Sequence, residues 1–267
     1  LVVYNVSSAK TPALQVLKTD EVMQRLKAFH KGGHRAISAS AVNTYLDCPL
    51  KFYFSVVEGI QEEEEVSETI ESNVFGSILH KVMEELYMPL CGKMVTADLL
   101  KAIKKDTPVL TGAIARAFAE IFFMSDVVRP LTGQNFLIGE MIRKYVEKIL
   151  ERDSKLTPFK YIESERKINR LFTLTDRSEI QLKGFIDRID EVRDTVRIID
   201  YKSGSGTSVF TSIESLFDKE DKDRAKAVMQ VFMYSWMLGD VPAGKTLQPG
   251  IYYMRTLFSD SFDAAVS

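Results

Sequence analysis

The sequence predicts an α/β fold, and three observations support this prediction. Runs rich in β-branched and aromatic residues indicate strands from Phe159 to Lys202 and again at 250–256. Apolar residues at helical spacing indicate helices from Ser38 to about Tyr87. Residues 96–153 read as two or three further helices, with breaks near Pro108, Pro130 and Gly133, and we expect them to form an insertion beside the sheet.

Composition places the chain among globular proteins of a reducing compartment. Its 267 residues can bury a substantial core. No apolar run approaches the length of a membrane span, and no secretory signal is present, so we expect a cytoplasmic protein without a membrane contact. Two cysteines fit that compartment. The net charge of −2 does not by itself indicate a nucleic-acid binder.

Residues 1–36 are predicted to be a lead-in from a preceding domain, and residues 37–267 the main domain. Pro12 interrupts the first segment, and Gly32 and Gly33 predict a flexible joint that leaves His30 and His34 as exposed linker residues. The chain begins with Leu1 and ends soon after a strand-like run, so we expect it to be part of a longer protein, truncated at the C-terminus.

The first helices carry one candidate ligand. Ser38 can cap a helix whose stripe includes Tyr45 and Phe52, and 58–71 is an acidic run expected to be solvated. Asn73 is predicted to cap the next helix, which ends near Tyr87. Its core face holds Phe75, Leu79, Val82, Met83 and Leu86. His80 borders that face, with Gly76 one turn before it and Glu84 one turn after, where Glu84 could fix the imidazole tautomer.

Two strands are predicted at 159–168 and 171–182, with a turn near Asp176 and Arg177. Glu163 and Glu165 share one face of the first strand, because side chains alternate along a strand. Glu165 is the better candidate for a role in chemistry, and two surface glutamates are an equally good interpretation.

The strongest pattern is a predicted hairpin that turns at Arg193 and Asp194. Asp187 should share a face with Phe185 and Ile189, while Asp200 and Lys202 should share one with Val196 and Ile198. In that register Asp187 lies opposite Asp200, and Asp190 lies opposite Arg197 on the other face.

Directly opposed side chains have Cβ atoms about 5 Å apart, so the two carboxylates would repel each other unless a hard cation lay between them. Mg²⁺ is such a cation, and Lys202 could then orient a water or stabilise phosphate charge. Two solvated strand-end aspartates are the alternative.

Beyond Lys202, residues 203–206 predict a mobile loop. Basic residues that lead into the next helix are modest candidates for phosphate contacts, namely Lys219, Lys222, Arg224 and Lys226. On that helix Gln230 and Tyr234 lie one turn apart and so share a face. They could equally be a buried pair that bond to each other.

Several motifs in order resemble one family. Gly-x-x-Asp-Arg-x-Asp at 184–190 and Asp-Tyr-Lys-x-Gly at 200–204 resemble the nuclease domain of the RecB/AddB branch of the PD-(D/E)xK superfamily. Phe-Gly-x-x-Leu-His at 75–80 and Gln-x-x-x-Tyr at 230–234 are similar to its other motifs. The resemblance covers about 38–253 and implies a restriction-endonuclease-like core, a mixed central sheet flanked by helices with the site at strand ends under the His80 helix.

The resemblance also implies roles. His80, Asp187, Asp200 and the carbonyl of Tyr201 would hold Mg²⁺ or Mn²⁺. Lys202 would position the attacking water, Glu165 matches an upstream glutamate of the family, and Gln230 and Tyr234 would support the site or contact DNA. The implied activity is a divalent-metal-dependent DNA exonuclease that acts on DNA ends or single strands supplied by a bacterial helicase subunit or domain, in double-strand-break repair.

Two other functions fit the same motifs. One is an exonuclease of the CRISPR-adaptation type, and the other is a catalytically inactive scaffold that binds DNA or a helicase. In AddB-like members the cysteine that corresponds to Cys48 is one of four iron–sulfur ligands, but this chain has no cysteine after Cys91 and cannot hold that cluster within its 267 residues. Cys48 is therefore expected to be a buried, unreactive thiol.

Overall fold

A computed structural model describes residues 14–60, 71–221 and 223–266. The predictions for Pro12, for most of the acidic run and for Lys222 lie outside these residues. The helices are α1 Asp20–Lys27, α2 Ala39–Asp47, α3 Pro49–Phe52, α4 Ser72–Tyr87, α5 Ala97–Lys105, α6 Thr107–Ile121, α7 Gly133–Ser154 and α8 Lys226–Leu238. The strands are β1 Met94–Val95, β2 Phe159–Thr173, β3 Glu179–Val192, β4 Thr195–Lys202 and β5 Thr246–Tyr253.

One mixed sheet organises the molecule, as predicted. The strand order is β1-β2-β3-β4-β5. All neighbours are antiparallel except β4 and β5, which are parallel because α8 forms the crossover between them. Helices α4 to α7 cover one face of the sheet and α8 packs on the other. No helix within the described residues is long and apolar enough to cross a membrane.

The β3–β4 hairpin has the predicted register. Asp190 pairs with Arg197 and Val192 with Thr195, and the turn contains Arg193 at a φ of 53°. The prediction for the preceding strands is only partly correct. The turn near Asp176 is confirmed, but β2 continues through the break expected at residues 169–170, because the residues from Arg166 to Thr173 all pair with β3. Ladder pairing therefore overrides the local break.

The segment before α2 is not the flexible joint that its glycines predict. Phe29 is buried. The backbones of Phe29 and Ile37 form hydrogen bonds with the part of β3 that does not pair with β4. The Gln181 amide also donates to three carbonyls of this segment, those of His30, Gly33 and Arg35. Backbone partners thus hold a segment that composition alone describes as loose. The domain boundary at residue 36 stays a prediction.

Two smaller predictions about the first helices are wrong. Helix α4 starts at Ser72 after Glu71, so Asn73 lies inside its first turn, where its side chain accepts a hydrogen bond from the amide of Val74. Cys48 is exposed rather than buried, since it lies at the junction of α2 and α3 with an extended backbone.

A buried ion network ties the helical insertion to the hairpin. Asp190 accepts hydrogen bonds from Arg197, as the register predicts, and also from the Nε of Arg188 at 2.7 Å. The Nη1 of Arg188 reaches Asp153 of α7 at 2.5 Å, where Tyr87 and Tyr252 also donate. Asp153, Arg188 and Asp190 are almost completely buried, so the two arginines and two aspartates neutralise one another inside the protein.

Candidate active site

The strands of the hairpin separate where the candidate aspartates begin. The last ladder pair of β3 and β4 is Arg188 with Ile199, one step before Asp187 and Asp200 would face each other. In place of a backbone carbonyl, the Oδ2 of Asp187 accepts the Tyr201 amide hydrogen bond at 2.8 Å. The side chain of Asp187 therefore completes the ladder and is held at the end of the strand.

The two carboxylates face different helices, which corrects the predicted alternation. Ile186 and Ile189 both belong to the cluster that packs on α8, so the alternation of β3 is interrupted between them. Asp187 consequently contacts His80 of α4, while Asp200 contacts Gln230 of α8. The carboxylates remain close enough for Asp187 to raise the pKa of Asp200, but they are not a simple opposed pair on one face.

Helix α4 places His80 over the strand ends, as expected. The Nδ1 of His80 lies 3.4 Å from the Asp187 carboxylate, and its Nε2 lies 2.8 Å from the Tyr201 carbonyl. Burial lowers the pKa of His80, but the charge of Asp187 and the hydrogen bonds outweigh burial and raise the pKa to about 9. Glu84 does not orient the imidazole, because its carboxylate pairs with Lys81 at 3.2 Å.

Glu165 joins this group through an unusual backbone conformation. It has a φ of 48°, a left-handed value that costs an L residue about 1–2 kcal/mol. In the described residues, ligand atoms of His80, Glu165 and Asp187 lie within 4.8 Å of one another. Burial and then the charge of Asp187 raise the pKa of Glu165 to about 7. The choice of Glu165 over Glu163 agrees with this geometry, since Glu163 is half-exposed and lies beside Arg166.

Asp200 lies next to this group with partners of its own. It is 2% exposed, and its Oδ2 lies 2.7 Å from the ammonium of Lys202 without the geometry of a hydrogen bond. The Gln230 amide donates to its Oδ1 at 3.1 Å and to the hydroxyl of Tyr234 at 3.0 Å. Burial and then the charge of Asp187 raise the pKa of Asp200 to about 6. Gln230 thus touches both the carboxylate and Tyr234.

Two glycines allow this close packing. A Cβ on Gly184 would lie 2.6 Å from the ring of Tyr234, so only glycine lets α8 approach the sheet there. A Cβ on Gly76 would lie 3.2 Å from the hydroxyl oxygen of Ser203, so this turn of α4 is closely approached. The neighbour is a side chain of the loop after Lys202 rather than backbone.

The donor set fits a hard divalent cation. Carboxylates, a backbone carbonyl and one imidazole are ligands that Mg²⁺ and Mn²⁺ accept. Three carboxylates converge here on one lysine and one histidine, and an Asp200 oxygen is buried without a hydrogen bond. His80, Glu165 and Asp187 form the tightest group of possible ligands. The Tyr201 carbonyl contacts His80, and Asp200 lies beside Lys202.

Sequence reasoning missed some residues of the site and overvalued others. The open cleft, of about 600 Å³, is lined also by Lys167, Phe185 and Ser203. Arg224 is not a phosphate contact, because it is buried against Asp47 and the Asn43 carbonyl. Lys226 pairs with Asp47 as well, at 2.7 Å. The exposed Lys219 stays a candidate.

Comparisons with known proteins identify the family of this chain. The PD-(D/E)XK nuclease superfamily matches residues 36–262. The chain is 30% identical to an ATP-dependent helicase/deoxyribonuclease subunit from Carboxydothermus hydrogenoformans, over 64% of this chain and 16% of the relative. It is 27% identical to the protein of the same name from Streptococcus agalactiae, over 71% of this chain and 16% of the relative. The chain therefore spans about a sixth of the length of these relatives. The match across most of the chain, together with the fold and the converging motifs, makes this protein a member of the PD-(D/E)XK nuclease superfamily, with AddB-type relatives.

Proposed function

We propose that the chain is the catalytic domain of a divalent-metal-dependent DNA exonuclease. The observation that carries this proposal is the convergence of His80, Glu165 and Asp187 within 4.8 Å, beside Asp200 and Lys202. Three carboxylates lie beside one lysine and one histidine, with Glu165 in an open cleft, and such a group would bind the cation that assists cleavage of a phosphodiester. Residues 37–267 would form this domain, with residues 1–36 as its lead-in.

Each side chain has a separate task in this proposal. His80, Asp187, Asp200 and the Tyr201 carbonyl would hold the cation, and Glu165 is a further ligand from β2. Lys202 carries an ammonium next to Asp200, where it positions the attacking water and stabilises charge on the phosphate. Gln230 donates to Asp200 and so holds the carboxylate in place, with Tyr234 behind it. A bound Mg²⁺ or Mn²⁺ would lower the pKa of that water and would neutralise charge on the phosphate.

The biological setting is proposed from the relatives. Their names describe subunits of ATP-dependent helicase/deoxyribonucleases from bacteria. By analogy, we propose that a helicase subunit or domain delivers DNA ends or single strands to this site, in double-strand-break repair in the bacterial cytoplasm.

Cleavage of labelled DNA in Mn²⁺ or Mg²⁺ tests the proposal. Asp200→Ala and Lys202→Ala should each lower the cleavage rate at least about a thousandfold while the circular dichroism spectrum is unchanged. Asp98→Ala, at an exposed residue of α5, is the matched control and should cleave normally. Metal-independent or unaltered cleavage by the two site variants would refute the assignment. A chain that neither binds Mn²⁺ nor cleaves DNA would instead be a scaffold.

A further inference from the structure

One aromatic side chain of the cleft is exposed for no structural reason. Phe185 is 46% exposed, although its neighbour Ile186 is completely buried. Packing can account for Ile186, which joins the cluster under α8, but Phe185 points into the open cleft. An exposed phenylalanine in a cleft is a feature of binding surfaces, because leaving the ring in water is unfavourable.

Phe185 lies on the same strand as the candidate metal ligand Asp187. Phe185 precedes Asp187 by two residues, which corresponds to about 7 Å along a strand. The same cleft contains His80, Glu165 and Lys202. A sugar attached to a phosphate at these ligands would therefore carry its base to the ring of Phe185.

Charge on the cleft walls indicates the direction of the nucleic-acid backbone. Lys167 is the ladder partner of Phe185, and its ammonium lies 5.9 Å from the centre of the ring. Glu84 and Glu120 line the same cleft and share the ammonium of Lys81, so this group has one negative charge in excess. Phosphates would be attracted to Lys167 rather than to this group, so the strand would run past the exposed ring.

We propose that Phe185, with Lys167 beside it, is a stacking surface for an unpaired nucleobase next to the scissile phosphate. This inference rests on the proposed function and deepens it by naming a residue that selects unpaired strands. Aromatic rings bind bases of any sequence through their flat faces, whereas bases in a duplex are already stacked on each other and paired. Duplex DNA would gain nothing from the ring.

Binding measured without metal tests the stacking surface independently of cleavage. Fluorescence anisotropy in EDTA at low salt would compare labelled oligothymidylate, an abasic strand of equal length and a blunt duplex. Phe185→Ala should raise the Kd for oligothymidylate about tenfold and leave the other two Kd values unchanged. Phe185→Trp should restore tight binding. Phe172→Ala is the control, because Phe172 is similarly exposed on β2 but does not line the cleft.

Three results would overturn the inference. They are an unchanged Kd of Phe185→Ala for oligothymidylate, an equal loss for the duplex or the abasic strand, and a wild-type protein that binds no oligothymidylate. Failure of the proposed function gives a different result. In that case the wild-type protein does not cleave DNA in Mn²⁺, while the difference between oligothymidylate and abasic strand persists.

Discussion

The β3–β4 hairpin carries two clusters of charge that differ in balance. The buried network sets two arginines, Arg188 and Arg197, against two aspartates, Asp153 and Asp190. The candidate site sets three carboxylates against one ammonium and one imidazole, in the group His80, Glu165, Asp187, Asp200 and Lys202. The first cluster is neutral within the protein, whereas the second has an excess of negative charge.

The carboxyl groups respond in opposite directions. Burial favours a raised pKa at Asp153, but the charges of Arg188 and Arg197 and the hydrogen bonds to the carboxylate together outweigh burial and lower the pKa. Burial and the charge of Asp187 raise the pKa of both Glu165 and Asp200. The hairpin thus contains one cluster that stabilises its own shape and one whose excess charge a cation would balance. Changes to each cluster should therefore have different consequences.

Removal of one arginine from the buried ion network should have the largest effect. Arg188→Met leaves Asp153 and Asp190 buried without their partner, and it should lower the free energy of unfolding by about 3–5 kcal/mol. Urea denaturation followed by circular dichroism measures this loss. Arg166→Met, at an exposed ion pair of β2, should change stability by less than about 1 kcal/mol. Equal stability of the two variants would contradict the structural role of the network.

Binding of a metal cation at the candidate site should stabilise the folded protein. Mn²⁺ at a hundred times its Kd should raise the free energy of unfolding by about 2.7 kcal/mol. Asp187→Asn should abolish this gain, because it removes a charged ligand from the group that would hold the cation. Thermal unfolding of each protein with and without Mn²⁺ measures the gain. The exposed Asp98→Asn should keep the full gain, and a gain retained by Asp187→Asn would place the metal elsewhere.

The metal-free protein should lose stability at alkaline pH. The folded pKa of His80, about 9, lies above its unfolded value of 6.5. Its contribution is therefore complete below pH 6.5 and is lost as pH rises through about 9, a change of about 2 kcal/mol between pH 7 and pH 9. Urea denaturation in EDTA measures the slope. His80→Gln should flatten it and the exposed His34→Gln should not, whereas parallel slopes in all three proteins would contradict the pairing with Asp187.

Relief of the left-handed backbone at Glu165 should have the smallest effect. Asparagine tolerates this conformation, so Glu165→Asn should stabilise the metal-free protein by about 1 kcal/mol and weaken Mn²⁺ binding. Arg193→Asn is the matched control, since Arg193 has a φ of 53° in the hairpin turn away from the cleft. It should stabilise equally and leave Mn²⁺ affinity unchanged, as isothermal titration calorimetry can show. A destabilised Glu165→Asn would mean that the glutamate is not strained.

The sequence by itself determined the hairpin register and predicted most residues of the candidate site. The alternation of Val192, Asp190 and their partners specifies one pairing, because a shift of one residue would move every side chain to the wrong face. The helical spacing of Gly76, His80 and the core of α4 likewise places an imidazole at the border of a buried face.

Only the tertiary structure decided how these residues meet. Beyond the end of the β3–β4 ladder, Asp187 contacts His80 of α4 and Asp200 contacts Gln230 of α8. These contacts depend on helices that pack on opposite faces of the sheet. The positive φ of Glu165 and the approach of Asp153 to Arg188 have no signal in local pattern, since contacts between residues distant in sequence impose them. Local periodicity encodes which residues are buried, whereas packing between elements decides which charges become neighbours.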